Sequence, residues 1–183
     1  MKKSIFVIAM LLILGSFSAC KKAEQCEKIE IYPIANNPQA TLVNTNWKFV
    51  GFVDVAKECL KRPEPIDCKI WNCEIQRYSL AFKDTISEET SWVFEGEDAD
   101  MDCYSIFFGY TSTNSIICAY HADYETGNFQ ICNGVQTLVG ETDEGYLYSN
   151  ALSAVRFFSL KDKELRLYYN NKQNYLLFKS QEL

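Results

Sequence analysis

The chain has 183 residues, of which 48% are hydrophobic and 14% aromatic, and its formal charge is −6. That length suits one domain with a proper core, and the composition excludes general disorder. No Lys/Arg run is longer than two, which argues against a nucleic-acid partner because phosphate-backbone binding needs a clustered basic face; the acidic balance speaks mostly for solubility.

Lys2 and Lys3 precede an apolar run at 5–14, and Gly15, Ser16, Phe17, Ser18, Ala19 and Cys20 follow. A charged start, a short apolar run and small residues before a cleavage point are the order of a signal peptide. The run is too short to cross a bilayer as a mature helix. A Cys directly after Ser-Ala resembles the bacterial lipobox. Residues 1–19 therefore read as a lipoprotein signal peptide, with Cys20 the acylated new N-terminus, although Phe17 stands where Leu is usual. The competing reading is an ordinary signal peptide cut near Ala19, with Cys20 left for a disulfide. Removing Lys2 and Lys3 takes the formal charge from −6 to −8. Several lipid chains on one Cys anchor durably where one would not. Lys21, in place of the Asp that retains enteric lipoproteins at the inner membrane, points to the outer one. Residues 20–41 read as a tether: polar, with Pro33 and Pro38 on either side of Asn36 and Asn37, and with 29–32 as its one strand-like run.

From residue 42 the chain becomes β-rich and reads as one domain, 42–183. Trp47, Phe49, Gly51 and Val53 alternate with Lys48, Val50 and Phe52, which suits a strand buried on both faces. Residues 55–74 break the pattern with Pro63, Pro65, Cys59, Cys68 and Cys73. They read as a disulfide-held loop and not as a zinc site, since no C-x2-C pair and no nearby His complete a ligand set. Tyr78, Leu80 and Phe82 alternate with polar or small residues, the mark of a half-buried strand. After a short run at 91–94, Tyr104, Ile106, Phe108 and Tyr110 share one face of a strand. A turn at Thr111 to Thr113 leads into 116–124, and Thr126, Gly127 and Asn128 turn the chain into 129–132. A helix is predicted from Asp143 to about Ala154. Tyr148, Ala151, Leu152 and Val155 form one apolar stripe there, and Asp143 and Glu144 sit in the first turn, where negative charge suits the exposed N–H groups. Strands at 155–160, 165–169 and 175–178 follow, joined by Lys161-Asp162-Lys163 and Asn170-Asn171-Lys172, as an antiparallel meander. The expectation is a mainly β, α+β fold: a small antiparallel β-barrel-like domain of eight or nine strands with one helix packed on it.

From 46 to 178 the chain resembles the META domain family of bacterial heat-shock HslJ-type lipoproteins. The residues that carry the likeness are the opening Trp47-Lys48-Phe49-Val50, Asn114-x3-Cys118-x-Tyr120 followed by Phe129-x-Ile131, Thr137, and the closing set Glu144, Leu152, Val155, Phe158, Leu165 and Leu167. Cys118 replaces a glycine of that pattern, Thr113 and Gly140 stand where the family has cysteines, and a cysteine-bearing loop is inserted after the first strand. The resemblance implies a small β-barrel with a helix, often an envelope lipoprotein, loosely associated with stress tolerance and secretion. It implies no agreed ligand or catalytic residue.

Eight cysteines in an exported chain argue for disulfides and an oxidising compartment. With Cys20 acylated an odd number remains, and Cys26, in the tether, is the expected odd one out. Pairing among Cys59, Cys68 and Cys73 is expected from proximity. Cys118 and Cys132 are either partners on adjacent strands or buried thiols acting as small apolar residues. His121, the one histidine, reads as a satisfied strand residue without a nucleophile motif beside it. The acidic run at 95–102 spaces Asp98, Asp100 and Asp102 like the start of a calcium loop, but the following Gly and distant Glu are missing. No spacing selects a carboxylate pair for glycoside hydrolysis, and no phosphate-cradling glycine loop appears. The sequence thus names Cys20 as a lipidation site and no catalytic, cofactor or metal residue. It points to a non-enzymatic envelope lipoprotein, held to the lipid membrane through acylated Cys20, whose domain is a binding/assembly or stress-related module that meets an envelope protein partner. The alternatives are a barrel holding a small apolar ligand or glycan and, behind it, a two-carboxylate hydrolase.

Overall fold

A computed structural model describes residues 26–34, 41–65, 77–84, 103 and 105–181. Cys20, Cys68, Cys73, the run at 91–94 and the acidic run at 95–102 lie outside the described residues. The elements follow as β1 (Glu27–Lys28), β2 (Asn46–Asp54), β3 (Cys59–Lys61), β4 (Ser79–Lys83), β5 (Ser105–Tyr110), β6 (Ser115–Ala122), β7 (Phe129–Gln136), α1 (Asp143–Ser153), β8 (Phe157–Lys161), β9 (Glu164–Tyr169) and β10 (Asn174–Ser180). One antiparallel sheet runs β7-β6-β5-β4-β2-β10-β9-β8, and β3 and β1 continue from β2 off that path. Among the described residues the fold is mainly β with one helix, as the alternation predicts.

The sheet curls into a half-barrel. Its end strands meet at one point, where Asn128 bridges Phe157, the Phe129 N–H donates to the Arg156 carbonyl at 2.9 Å, and the Phe158 N–H donates to the Gly127 carbonyl at 2.8 Å. Helix α1 lies over the concave side. Gly145, Tyr148, Ala151 and Leu152 are its buried residues, and Val155 is fully buried just beyond it, so the predicted stripe is the packed face. The Tyr148 ring meets those of Phe49 and Tyr78 at 5.0 and 5.3 Å. Phe82, Phe107, Tyr120, Phe129 and Phe158 continue the layer beneath the curl. Edge-to-face and tilted pairs at these separations add to what area burial already contributes.

β2 is buried on both faces, but it changes face midway. Across from β10, Leu177 pairs Gly51 while Phe178 pairs Phe49, so Val50 is the extra residue of a bulge. A bulge shifts the side-chain alternation by one. Trp47 and Phe49 therefore enter the concave core, and beyond the bulge Phe52 leans on that core while Val53 faces the other way.

That other side carries a second, smaller core of Val53, Leu60, Tyr168, Tyr175 and Leu177 on the convex face of the sheet. β3 and the segment 29–34 lie over it, with Ile29 and Ile31 packed against it. Here two expectations are corrected. Cys26 is not the odd cysteine: it pairs with Cys59, so Cys59 is not bonded to Cys68 or Cys73. The reason is register, since β1 pairs β3 with Lys28 opposite Cys59 and Glu27 opposite Leu60, which brings Cys26 alongside with a Cα–Cα distance of 5.3 Å. Part of the segment read as a tether is therefore a strap on the sheet, and its strand falls at Glu27–Lys28 and not at 29–32. Cys132 is bonded to Cys103, which lies just before β5. Cys118 faces Gly134 in the β6–β7 ladder, not Cys132, and is a free thiol. Burial pushes it up to about 12, so it stays protonated and unreactive.

Candidate functional site

Two polar clusters stand out among the described residues, one at each side of the sheet. The first gathers at the tip of the β5–β6 hairpin, where Thr111, Ser112 and Asn114 are buried. Their donors converge on a single carboxylate. Glu141 accepts from the hydroxyls of Thr111 and Ser112, from Thr113 Oγ1 at 3.0 Å, and from Asn114 Nδ2 at 3.0 Å. Asn114 Oδ1 in turn accepts from Thr137 Oγ1 at 3.0 Å and from the Val139 N–H at 2.8 Å. One residue on, Thr142 caps α1, its Oγ1 accepting from the Gly145 N–H at 3.0 Å. A Cβ at Gly145 would run into the Glu141 carboxylate and the Ser112 hydroxyl, so those side chains would have to shift. Burial alone would raise the Glu141 carboxyl, but the hydrogen bonds from Ser112, Thr111, Asn114 and Thr113 outweigh it and hold the group below its ordinary value. A carboxylate so saturated with donors and so firmly ionised is poorly matched to proton transfer near neutrality. It is a fastening: it ties the hairpin to the start of the helix.

The second cluster lies on the convex face, where β8, β9 and β10 run side by side. The pairing sets Lys161 of β8 opposite Glu164 of β9, and Glu164 opposite Lys179 of β10. Lys48 of β2 is next in the same row, opposite Lys179. One row along, Ser159 stands opposite Arg166. Arg166 is only 6% exposed; its Nε and Nη2 both reach Glu164 Oε1 at 2.6 Å. Its guanidinium is sandwiched between aromatic rings, 5.2 Å from that of Tyr32 and 5.1 Å from that of Tyr175. Stacked, ion-paired arginine in this setting is held at both its charge and its plane. Tyr32 belongs to the strap, so the strap forms one wall of the resulting cleft, whose volume is about 440 Å³. Lys163 and Ser180 complete its rim.

A smaller groove of about 370 Å³ runs between α1 and the sheet, with Leu147, Ala151 and Ala154 on one side and Phe52 and Tyr169 on the other. Both openings lie outside the aromatic layer that fills the curl. Leu138, Val139, Tyr146 and Leu147 are exposed apolar side chains on the loop before α1 and on the helix itself.

Of the residues singled out in the sequence, His121 is exposed on β6, opposite Gln130. No group of His, Cys, Asp and Glu with metal-holding geometry occurs among the described residues, and no described helix is long and apolar enough to cross a membrane. Asn114 and Thr137, far apart in the chain, are brought into contact in the Glu141 cluster. The convex-face cleft was missed by sequence reading. Lys161, Lys163 and Arg166 come from the β8–β9 hairpin, and sheet register sets Lys179 of β10 beside them.

The fold and its two clusters define a small curled β-sheet domain, closed by one helix within and covered by a strap without. No family model matches the chain, and no curated protein matches it. Among solved structures it is similar to the NMR structure of a protein from Burkholderia xenovorans, at a TM-score of 0.53 and 16% identity, over 86% of this chain and 97% of that one. At that identity the likeness is one of fold alone. A crystal structure of a DUF4847 family protein from Bacteroides vulgatus gives a TM-score of 0.46 and 15% identity, over 78% of this chain and 96% of that one, a looser likeness that adds nothing to the fold.

Proposed function

We propose that this chain is a lipid-anchored envelope protein, acylated at Cys20, whose domain is a non-enzymatic binding or assembly module. The observation that carries this reading is where the space lies. The concave interior is filled by Phe49, Phe82, Phe107, Tyr148 and Phe178, each no more than 5% exposed, while the clefts open on the outside. A packed curl leaves the outer surface for recognition, and a barrel that stored an apolar ligand would keep that space within. The signal peptide and Cys20 supply the anchor and the envelope address; the outer membrane is the face that Lys21 favours. The alternative of a small ligand or glycan then concerns the convex-face cleft, where the Tyr32 ring stands beside charged groups, and not the interior.

The test compares the native chain with Cys20→Ala in fractionated cells, followed by crosslinking in membranes. The reading expects the native chain in the membrane fraction with an acylated N-terminal peptide by mass spectrometry, and one defined envelope component crosslinked by the anchored form alone. Equal recovery of both forms in the soluble fraction would sink the anchor.

A further inference from the structure

The cleft on the convex face reverses the sign of the protein around it. The whole chain carries −6, yet Lys161, Lys163, Arg166 and Lys179 line this opening against Asp162 and Glu164, four cations to two carboxylates. Of the two carboxylates, Glu164 is engaged by Arg166, whose Nε and Nη2 both hold its Oε1. Lys48 extends the positive row on the far side of Lys179. A local field opposed to the net charge concentrates anions at that spot.

We propose that this cleft binds a phosphate group, carried either by a small soluble phosphomonoester or by a phospholipid headgroup. The inference deepens the binding-module reading, and rests on it for the setting in which the phosphate is met. Three observations choose phosphate over carboxylate. The Nε/Nη2 edge of Arg166, the fork that suits a carboxylate, is already turned onto Glu164. The remaining cations are lysines, compact point charges with donors in several directions, which suit a multiply charged tetrahedral anion approached from more than one side. Ser180 also lies in the lining, where its hydroxyl adds a neutral donor. The volume of about 440 Å³ falls within the usual range for small-molecule sites and leaves room for the group that bears the phosphate. Tyr32 forms the wall and is itself held by Arg166 and by Lys161, whose Nζ is 5.5 Å from the ring centroid. The strap is thus part of the site and not only a cover.

The experiment uses the full chain carrying Cys20→Ala, so that no acyl group contributes. It is titrated with inorganic phosphate and with glycerol phosphate, and sedimented with phosphatidylglycerol and phosphatidylcholine vesicles. Each measurement is repeated with Lys161→Gln/Lys179→Gln and with Lys57→Gln as a distant control. The proposal expects saturable binding that the double variant weakens about tenfold or more, as two lost contacts near an anionic group should, and that Lys57→Gln leaves intact. Lysine-dependent binding of the soluble phosphates assigns a soluble source. Lysine-dependent preference for phosphatidylglycerol vesicles, without saturation by soluble phosphate, assigns the headgroup. A response that is non-saturable, or the same in the double variant, overturns the site. Circular dichroism of the double variant guards against misfolding, and none of these results depends on whether Cys20 is acylated.

Discussion

The two faces of the same sheet are built on different terms. The concave core is large, aromatic and closed by α1, an element whose own capping and stripe direct it there. The convex core is small and covered by a short segment with only two residues in a strand, held by the Cys26–Cys59 bond and by Ile29 and Ile31 packed against the core. The first face rests chiefly on aromatic burial, with the Glu141 hydrogen bonds fastening the helix to it; the second combines modest burial with a covalent link, which lowers the entropy of the unfolded chain. A short segment cannot bury enough apolar surface to order itself, and a disulfide makes up the difference.

β10 offers the sharpest way to break this comparison, because neighbouring residues point to opposite cores. Phe178→Ala, in the concave layer, is expected to cost about 3–5 kcal/mol, and Leu177→Ala, on the convex side, about 2–3 kcal/mol, both read from urea denaturation midpoints. Should Leu177→Ala prove silent, the convex cluster is not a core in any energetic sense. Cys26→Ala/Cys59→Ala comes next, at about 2–4 kcal/mol. Its signature is regional: hydrogen exchange should quicken in the strap and in β3 while β5 and β6 keep their protection. Uniform loss across the domain would show instead that the two faces unfold as one unit.

The smallest expected effect sharpens the concave side, where the Glu141 cluster ties α1 to the β5–β6 hairpin. Glu141→Gln should cost about 1 kcal/mol, the order of a net hydrogen bond. The sign with pH follows from the direction of its shift. A carboxyl held below its ordinary value in the folded chain contributes stability above that value, and loses it as pH falls through the lowered one. The acid limb of the stability curve should therefore be shallower for the variant, while the two proteins converge at low pH. Parallel limbs would mean that the carboxylate is not favoured by folding.

The concave side was also the legible one. The spacing of Tyr148, Ala151 and Leu152 is a local signal, as is the alternation of Leu80 and Phe82 or of Leu165 and Leu167, and each reports which side faces in. The convex side has no such local mark. Tyr175, Leu176, Leu177 and Phe178 are all buried, so their sequence shows a run with no phase, and it does not say that a second core exists. The face change in β2 depends on one unpaired residue, Val50, which no composition rule picks out. Cys26 was misread because connectivity among several cysteines is not a property of their spacing, and because the polar residues around Ile29 and Ile31 hid the strap. The turn at Thr111 to Thr113 was visible as turn chemistry. That its hydroxyls all aim at Glu141, some thirty residues later, is decided by how the hairpin tip meets the helix. The lysine row is the extreme case, since Lys48, Lys161 and Lys179 become neighbours only once β2, β10, β9 and β8 are in register.

The strap also resets the length of the leash. Free over its whole length, the segment 20–41 would let the domain roam about 70 Å from an acylated Cys20. Pinned at Cys26, just six positions after Cys20, the chain has about 20 Å of reach. With the proposed anchor at Cys20, the domain would stand close to its bilayer with the convex, strap-covered side nearest to the lipid. A partner of the proposed binding module would then be selected by height above the membrane as much as by the chemistry of its surface.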